Sequence, residues 1–344
     1  MVAYHKTYHR TFLLLLLALV LTCLLNIRIG SVYIPLDQVL SALCNGEVDK
    51  ESWRAIVLDY RLPKAVTAII VGAGLSISGL LMQTLFRNPL AGPFVLGISS
   101  GASLGVAVLI LGATFLGANL AIYPATNWGI AAAACAGSFL VLTAVMIAAN
   151  RVRNTMSILI IGLMFGSFTA AIISILAYFS SANALQQYLF WSFGSLGNLN
   201  WREITTLFSV FFAGTLMVVF IIKPLNSLLL GENYAESMGV NIKNVRNLTL
   251  LATSLLTGAI TAFSGPIAFV GLAVPHLTKL LFSTSNHKTL VPAVAISGAI
   301  VMLICDGISQ VPGSEFTLPI NAITSLFGAP IIIWLLVRKR TLHY

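Results

Sequence analysis

Long apolar runs separated by short polar breaks recur from one end of this chain to the other. They occupy 12–29, 63–86, 93–112, 128–149, 155–179, 204–222, 248–263, 266–283, 289–309 and 318–337. A helix needs roughly 20 such residues to cross about 30 Å of hydrocarbon, and most of the runs have that length. The pattern predicts an all-α polytopic membrane protein with about ten transmembrane helices and one transmembrane domain over 1–344. Gly265-Pro266 and Pro292 interrupt it, and the short apolar pieces there fit broken helices.

Two of the polar breaks are long. In the break 30–62, Pro35 to Leu43 reads as a short amphipathic helix with proline in its first turn. Glu47, Asp49, Lys50, Glu51 and Arg54 follow, and the break closes on Arg61-Leu62-Pro63-Lys64. The break 223–246 holds Glu232 and Glu236, with Gly231 and Gly239 bracketing a short helical pattern and Lys223, Lys243 and Arg246 around it.

An even number of spans puts both termini on one side, and charge says which. With the termini in the cytoplasm, thirteen of the 19 basic residues lie inside: Lys6, Arg10, Arg87, Arg151, Arg153, Lys223, Lys243, Arg246, Lys279, Lys288, Arg338, Lys339 and Arg340. Only Glu232 and Glu236 of the 10 acids join them. That bias is the positive-inside rule. It makes 30–62 an outer loop and 223–246 a cytoplasmic one, the place where a soluble partner can push on a chain with little soluble mass.

Composition agrees. The chain is 58% hydrophobic and 8% charged, where a soluble domain carries about 25% charged residues. The net charge of +9 follows from orientation and is no signal for nucleic acid. Cys23, Cys135 and Cys305 fall inside apolar runs and Cys44 stands alone in a polar loop, without disulfide or metal-ligand spacing. The run after Lys6 and Arg10 leaves through Asn26-Ile27-Arg28 without a small-residue cleavage site, and threonine fits poorly before Cys23 in a lipoprotein box, so it reads as an uncleaved first helix.

The chemistry-bearing motifs are few. The dipeptide Gly-Lys does not occur, so there is no Walker A loop to cradle phosphates, and no HExxH. An ion-coupled secondary transporter keeps carboxylates inside the membrane, whereas Asp306 and Glu315 sit near the outer end of a span. Gly97-Ile98-Ser99-Ser100-Gly101 matches the nucleophile pattern GxSxG, with His276 in another span, as an intramembrane hydrolase would need; tight packing of a Gly/Ser-rich helix explains it better. Asn88-Pro89-Leu90-Ala91-Gly92-Pro93 is a proline-bracketed turn at the inner face. Arg61 and Lys64 at the outer mouth of the second span read either as snorkelling anchors or as a basic patch for an acidic partner. Gly72-Ala73-Gly74 to Gly79 packs backbones closely or loosens a moving helix. Gly92-Pro93-Phe94-Val95-Leu96-Gly97 echoes Gly265-Pro266-Ile267-Ala268-Phe269-Val270-Gly271, as inverted repeats do or as two Gly-rich helices do by chance.

Together these segments resemble a known family. Arg61-Leu62-Pro63, Gly79 with Gln83, Asn88-Pro89-Leu90-Ala91 and Leu96 to Ala102 are similar to the permeases of bacterial importers for iron–siderophore, haem and vitamin B12. Leu230-Gly231-Glu232, Met238-Gly239-Val240, Gly265 to Leu272, Val274-Pro275-His276 and Gly328-Ala329-Pro330 continue the match in family order. The resemblance implies a permease subunit of an ATP-driven (ABC) importer in the bacterial inner membrane, with ferric siderophore the first cargo and haem or vitamin B12 next. It implies a second permease copy in a homodimer, two cytoplasmic ABC ATPase subunits, and a periplasmic or lipid-anchored substrate-binding protein. The chain would be no enzyme and bind no cofactor, ATP-Mg being held by the ATPase.

The resemblance also implies roles for residues. Leu230, Gly231, Glu232, Ala235, Glu236, Met238 and Gly239 would couple to the ATPase. Asn88, Leu90, Thr155 and Met156 would form the cytoplasmic gate. Arg61 and Lys64 would dock the binding protein. The chain departs from the family pattern at Gln310, where relatives often carry arginine, which brings Arg54 in as a third docking base. Asn321 in Pro319-Ile320-Asn321 replaces a common glycine and would stiffen the top of the last span.

Overall fold

The computed structural model describes residues 2–112, 126–152, 155–311 and 316–338. In chain order the helices are α1 (Val2–Arg28), α2 (Leu36–Leu43), α3 (Glu51–Ala55), α4 (Leu62–Leu85), α5 (Ile98–Ile110), α6 (Asn127–Arg151) and α7 (Thr155–Phe179). They continue as α8 (Ala182–Ser192), α9 (Trp201–Leu228), α10 (Glu232–Ser237), α11 (Ile242–Ser264), α12 (Val270–Phe282), α13 (His287–Ser309) and α14 (Ile320–Arg338). Among the described residues, seven helices are long and apolar enough to cross a membrane, and Ile98–Ile110, Val270–Phe282 and Ile320–Trp334 are shorter apolar helices. These ten occupy the ten predicted spans.

Lipid is legible in what the helices leave uncovered. Leu13, Leu14, Leu17, Phe168, Phe212, Phe220 and Ile333 are exposed along the middles of their helices, a surface that water would not tolerate in such quantity. Position within the bundle varies: 89% of the apolar window in Glu51–Leu85 is buried against 11% in Tyr8–Arg28. The second span is mostly covered by protein and the first mostly uncovered.

Three boundaries differ from the sequence pattern. A π-helical segment, Ile56–Arg61, joins α3 to α4, so helix runs unbroken from Glu51. Pro63 lacks the N–H that would continue a regular ladder, and the widened turn absorbs the defect. Second, α8 has no counterpart among the predicted elements. Ser181 caps it, its hydroxyl accepting from the Ala184 N–H at 3.3 Å, but its 11 residues are too few to read as a span. Third, α9 runs through Pro224 to Leu228 and α11 starts at Ile242, which narrows the polar interruption from 223–246 to residues 229–241. The start of α9 is a reciprocal capping box, with the Asn200 N–H on Glu203 Oε2 (2.9 Å) and the Glu203 N–H on Asn200 Oδ1 (3.0 Å).

The chain divides into two compact units, one of Met1–Ser76, Ser195–Phe208 and Ala268–Tyr344, the other of Ile77–Gly194 and Ser209–Ile267. In the first, α13 packs on α1, α12 and α14. Gly72 of α4 meets Gly298 of α13 so closely that a Cβ on either would strike the other's carbonyl. The Asn321 side chain accepts from the Ala268 N–H at 3.0 Å and ties α14 to the break before α12. In the second unit, Ala102, Val106, Ala107 and Ile110 of α5, with Leu111 just past its end, form a core with Ala134 of α6 and Ala262 of α11. A Cβ on Gly101 would come within 2.6 Å of the Gly137 carbonyl. The GxSxG pattern therefore serves packing: Gly101 admits α6, and Ser99 Oγ faces Thr261 Oγ1 at 3.4 Å. The two echoing segments also share a local form. Each is a Gly-Pro break ahead of a helix of 13 residues.

Candidate functional site

The polar loop is built on two glycines. Gly231 takes φ +124° and Gly239 φ +81°, conformations an L side chain rarely adopts. Between them α10 is one short helix, closed by Gly239 N–H to Glu236 O (2.9 Å) and Val240 N–H to Ala235 O (3.0 Å), the Schellman arrangement. Ala235 is fully buried and seats α10 on α11. The other faces point away from the protein: Leu230 is 67% exposed and Met238 59%, with Leu229 and Tyr234 also exposed. Exposed apolar side chains thus surround Glu232 and Glu236 on a polar loop.

The turn after α4 belongs to the same unit as this loop. Asn88 Oδ1 accepts from the Leu90 N–H at 2.9 Å and the Asn88 carbonyl from the Ala91 N–H at 3.0 Å, an Asx turn that leaves Leu90 exposed. A 3-10 turn, Pro93–Leu96, leads into Gly97 at φ +72° and α5. Gly162 of α7 accepts this turn so tightly that a Cβ there would strike the Val95 carbonyl. Thr155 and Met156 begin α7, with Met156 exposed. Arg87 Nη2 donates to the Leu228 carbonyl at 2.8 Å. The structure thus joins the polar loop to the Asn88–Leu90 turn through Arg87, and that turn to α7 through Gly162. Neither link was evident from the sequence, because both partners lie far away along the chain.

Known proteins match this chain over nearly its whole length. The model of the FecCD transport family matches residues 16–338. The chain belongs to the FecCD transport family. It is 33% identical over 318 residues to the vitamin B12 import system permease protein BtuC of Citrobacter koseri, covering 90% of this chain and 93% of that one. The BtuC of Salmonella newport is 33% identical over 331 residues, covering 96% and 95%. A solved chain described as an inward-facing conformation of an ABC transporter of the metal-chelate type superposes with a TM-score of 0.83 at 28% identity, covering 96% and 99%. PsaBC from Streptococcus pneumoniae in complex with Fab shares the fold, at TM-score 0.54 and 18% identity over 79% and 89%. This chain is a multi-pass ABC importer permease of the FecCD and BtuC type.

The three bases expected at the outer mouth of a FecCD permease differ in exposure and in what they bind. Arg61 is only 8% exposed. Its guanidinium donates to the carbonyls of Ile27 (2.9 Å), Arg28 (2.8 Å) and Val32 (2.5 Å), capping the end of α1. Lys64 Nζ lies 3.0 Å from Asp306 Oδ1. Asp306 Oδ2 accepts from Asn26 Nδ2 and Gln310 Nε2, each at 2.9 Å. Gln310 thus completes a polar knot among α1, α4 and α13. Arg54 is the most open of the three, with its guanidinium on Asn45 Oδ1 (2.9 Å) and the Gly46 carbonyl (2.5 Å), and Glu51 at 3.6 Å. Both Arg61 and Lys64 are turned inward by unpaired carbonyls and a buried acid that only the fold brings near.

Proposed function

We propose that this permease carries a metal chelate across the bacterial cytoplasmic membrane, driven by ATP that partner subunits hydrolyse. The observation that carries the reading is α10. It is a glycine-bracketed helix with exposed apolar residues around Glu232 and Glu236, on a chain without a Walker A loop. In this reading Leu230, Gly231, Glu232, Glu236, Met238 and Gly239 form the contact with the ATPase, and Ala235, buried beneath them, seats the coupling helix on the permease. Asn88, Leu90, Thr155 and Met156 line the cytoplasmic gate. A second copy of the chain completes the pore, two ATPase subunits hold ATP-Mg, and this chain binds no cofactor of its own.

A substrate-binding protein docks over the outer loop 30–62, with Arg54 at its face and Arg61 and Lys64 fixing the helices beneath. Cargo of the metal-chelate class suits the solved relative, and cobalamin is the first candidate because the curated relatives bear that name. Ferric siderophore, first on the sequence alone, becomes the second.

The test is reconstitution with the ATPase and binding protein in liposomes. Glu232→Ala together with Glu236→Ala is expected to lower ATPase co-purification and ATP-driven uptake by about tenfold, the scale of lost charge-assisted contacts. Full retention of both overturns the coupling assignment. Uptake of labelled cyanocobalamin against a labelled ferric siderophore decides the cargo.

A further inference from the structure

The turn after α4 carries an arginine where the backbone favours glycine. Arg87 takes φ +47°. The bonds Asn88 N–H to Gln83 O (3.2 Å) and Arg87 N–H to Thr84 O (3.3 Å) close α4 as a Schellman motif with Arg87 in the left-handed position. At the end of α10 the same position is filled by Gly239, which adopts it without steric cost. An L side chain there is strained, so the choice of arginine calls for a reason in its side chain.

The side chain supplies one. Nη2 donates to the carbonyl of Leu228, the last residue of α9, where a cation meets the negative end of the helix dipole. Gly231, the N-cap residue just before α10, lies alongside, since a Cβ built on it would stand 3.8 Å from the same nitrogen. From Arg87 the backbone runs through the Asn88–Leu90 turn to Pro93–Leu96, which packs on Gly162 of α7. One short stretch is therefore fastened at one end to the base of the polar loop and at the other to the helix that Thr155 and Met156 begin.

We infer that Arg87 is a positioning residue for transport, a strut that carries displacement of α10 to the Asn88–Leu90 turn and onward to α7. The inference rests on the proposed roles of α10 and of the gate. Moving the α9–α10 junction moves the Leu228 carbonyl, and the guanidinium bonded to it is anchored in a turn whose backbone is already fixed by the Schellman closure of α4 and the Asx turn at Asn88. The turn must follow or the bond must break.

Arg87→Gly is a clean test, because glycine relieves the left-handed strain while deleting only the strut. The permease with its ATPase is reconstituted in lipid nanodiscs, with Cys23, Cys44, Cys135 and Cys305 each replaced by alanine and Leu90→Cys supplying the single thiol. Maleimide labelling of that cysteine is followed without nucleotide and with ATP plus vanadate, beside ATPase co-elution. In the parent the labelling rate is expected to change about tenfold between the two states, and in Arg87→Gly less than about twofold, with the ATPase still bound. Arg87→Lys, which keeps a charge on a flexible stem, is expected to fall between. A full response in Arg87→Gly overturns the inference while leaving the gate assignment intact. Loss of ATPase co-elution in Arg87→Gly also overturns it, since Arg87 would then serve docking. A parent that shows no response overturns the gate assignment, and this inference with it.

Discussion

Asp306 is buried, and three side chains from separate helical segments converge on it. A buried ion pair adds little net stability, but removing one member leaves the other stranded at a cost of about 3–5 kcal/mol. Lys64→Met and Asp306→Leu are each expected to lower the thermal stability of the detergent-solubilised permease sharply, and the double variant to recover most of the loss. A double-mutant cycle on unfolding midpoints measures that coupling. The loop glycines offer a contrast. Nothing lies within 4 Å of a Cβ built on Gly239, so Gly239→Ala meets only backbone strain, roughly 1 kcal/mol. It should loosen α10, seen as faster proteolysis at 237–240, without changing the melting temperature of the whole chain. Gly231 and Gly239 were legible in the sequence because a positive φ leaves a residue-type signature. Arg61 and Lys64 were not, because a base at a helix mouth reads alike whether it meets water or a distant carbonyl.

At the scale of elements, hydrophobic length alone located all ten apolar spans, since hydrocarbon thickness imposes one number on each. It missed α8, whose cap at Ser181 is local but whose length falls below any membrane criterion, and it began the second span too late. Pro63 normally opens a helix, but here a π segment carries helix into it from Glu51. Small-residue stretches declared close packing without naming their partners. Gly72 meets Gly298, more than two hundred positions away along the chain. Gly72→Ala is expected to force α4 and α13 apart and to destabilise the permease by about 1–3 kcal/mol, as overpacking does. A melting curve should show this loss for Gly72→Ala and not for Gly239→Ala.

For the molecule as a whole, the charge asymmetry makes a direct prediction about sidedness. Cys44 is exposed on the loop between α2 and α3, and Ser237 is exposed on α10. A membrane-impermeant maleimide added to intact spheroplasts should label Cys44, and should label a Ser237→Cys variant at its new cysteine only after permeabilisation. The reverse pattern overturns the orientation. Family membership was also readable at this scale, because the motifs run in order along most of the chain. The cargo was not, since no motif in the spans singles out one chelate. The polar knot at Asp306 has a consequence for biogenesis. Asn26 and its acceptor are 280 residues apart, and a ribosome adds about 5–20 residues per second. For many seconds of synthesis, α1 and α4 must wait in or beside the bilayer with an amide and an ammonium that have no acid to meet. Nascent chains truncated before α13 should therefore be held by the insertion machinery or degraded, and the permease should become protease-resistant only when its last helices arrive.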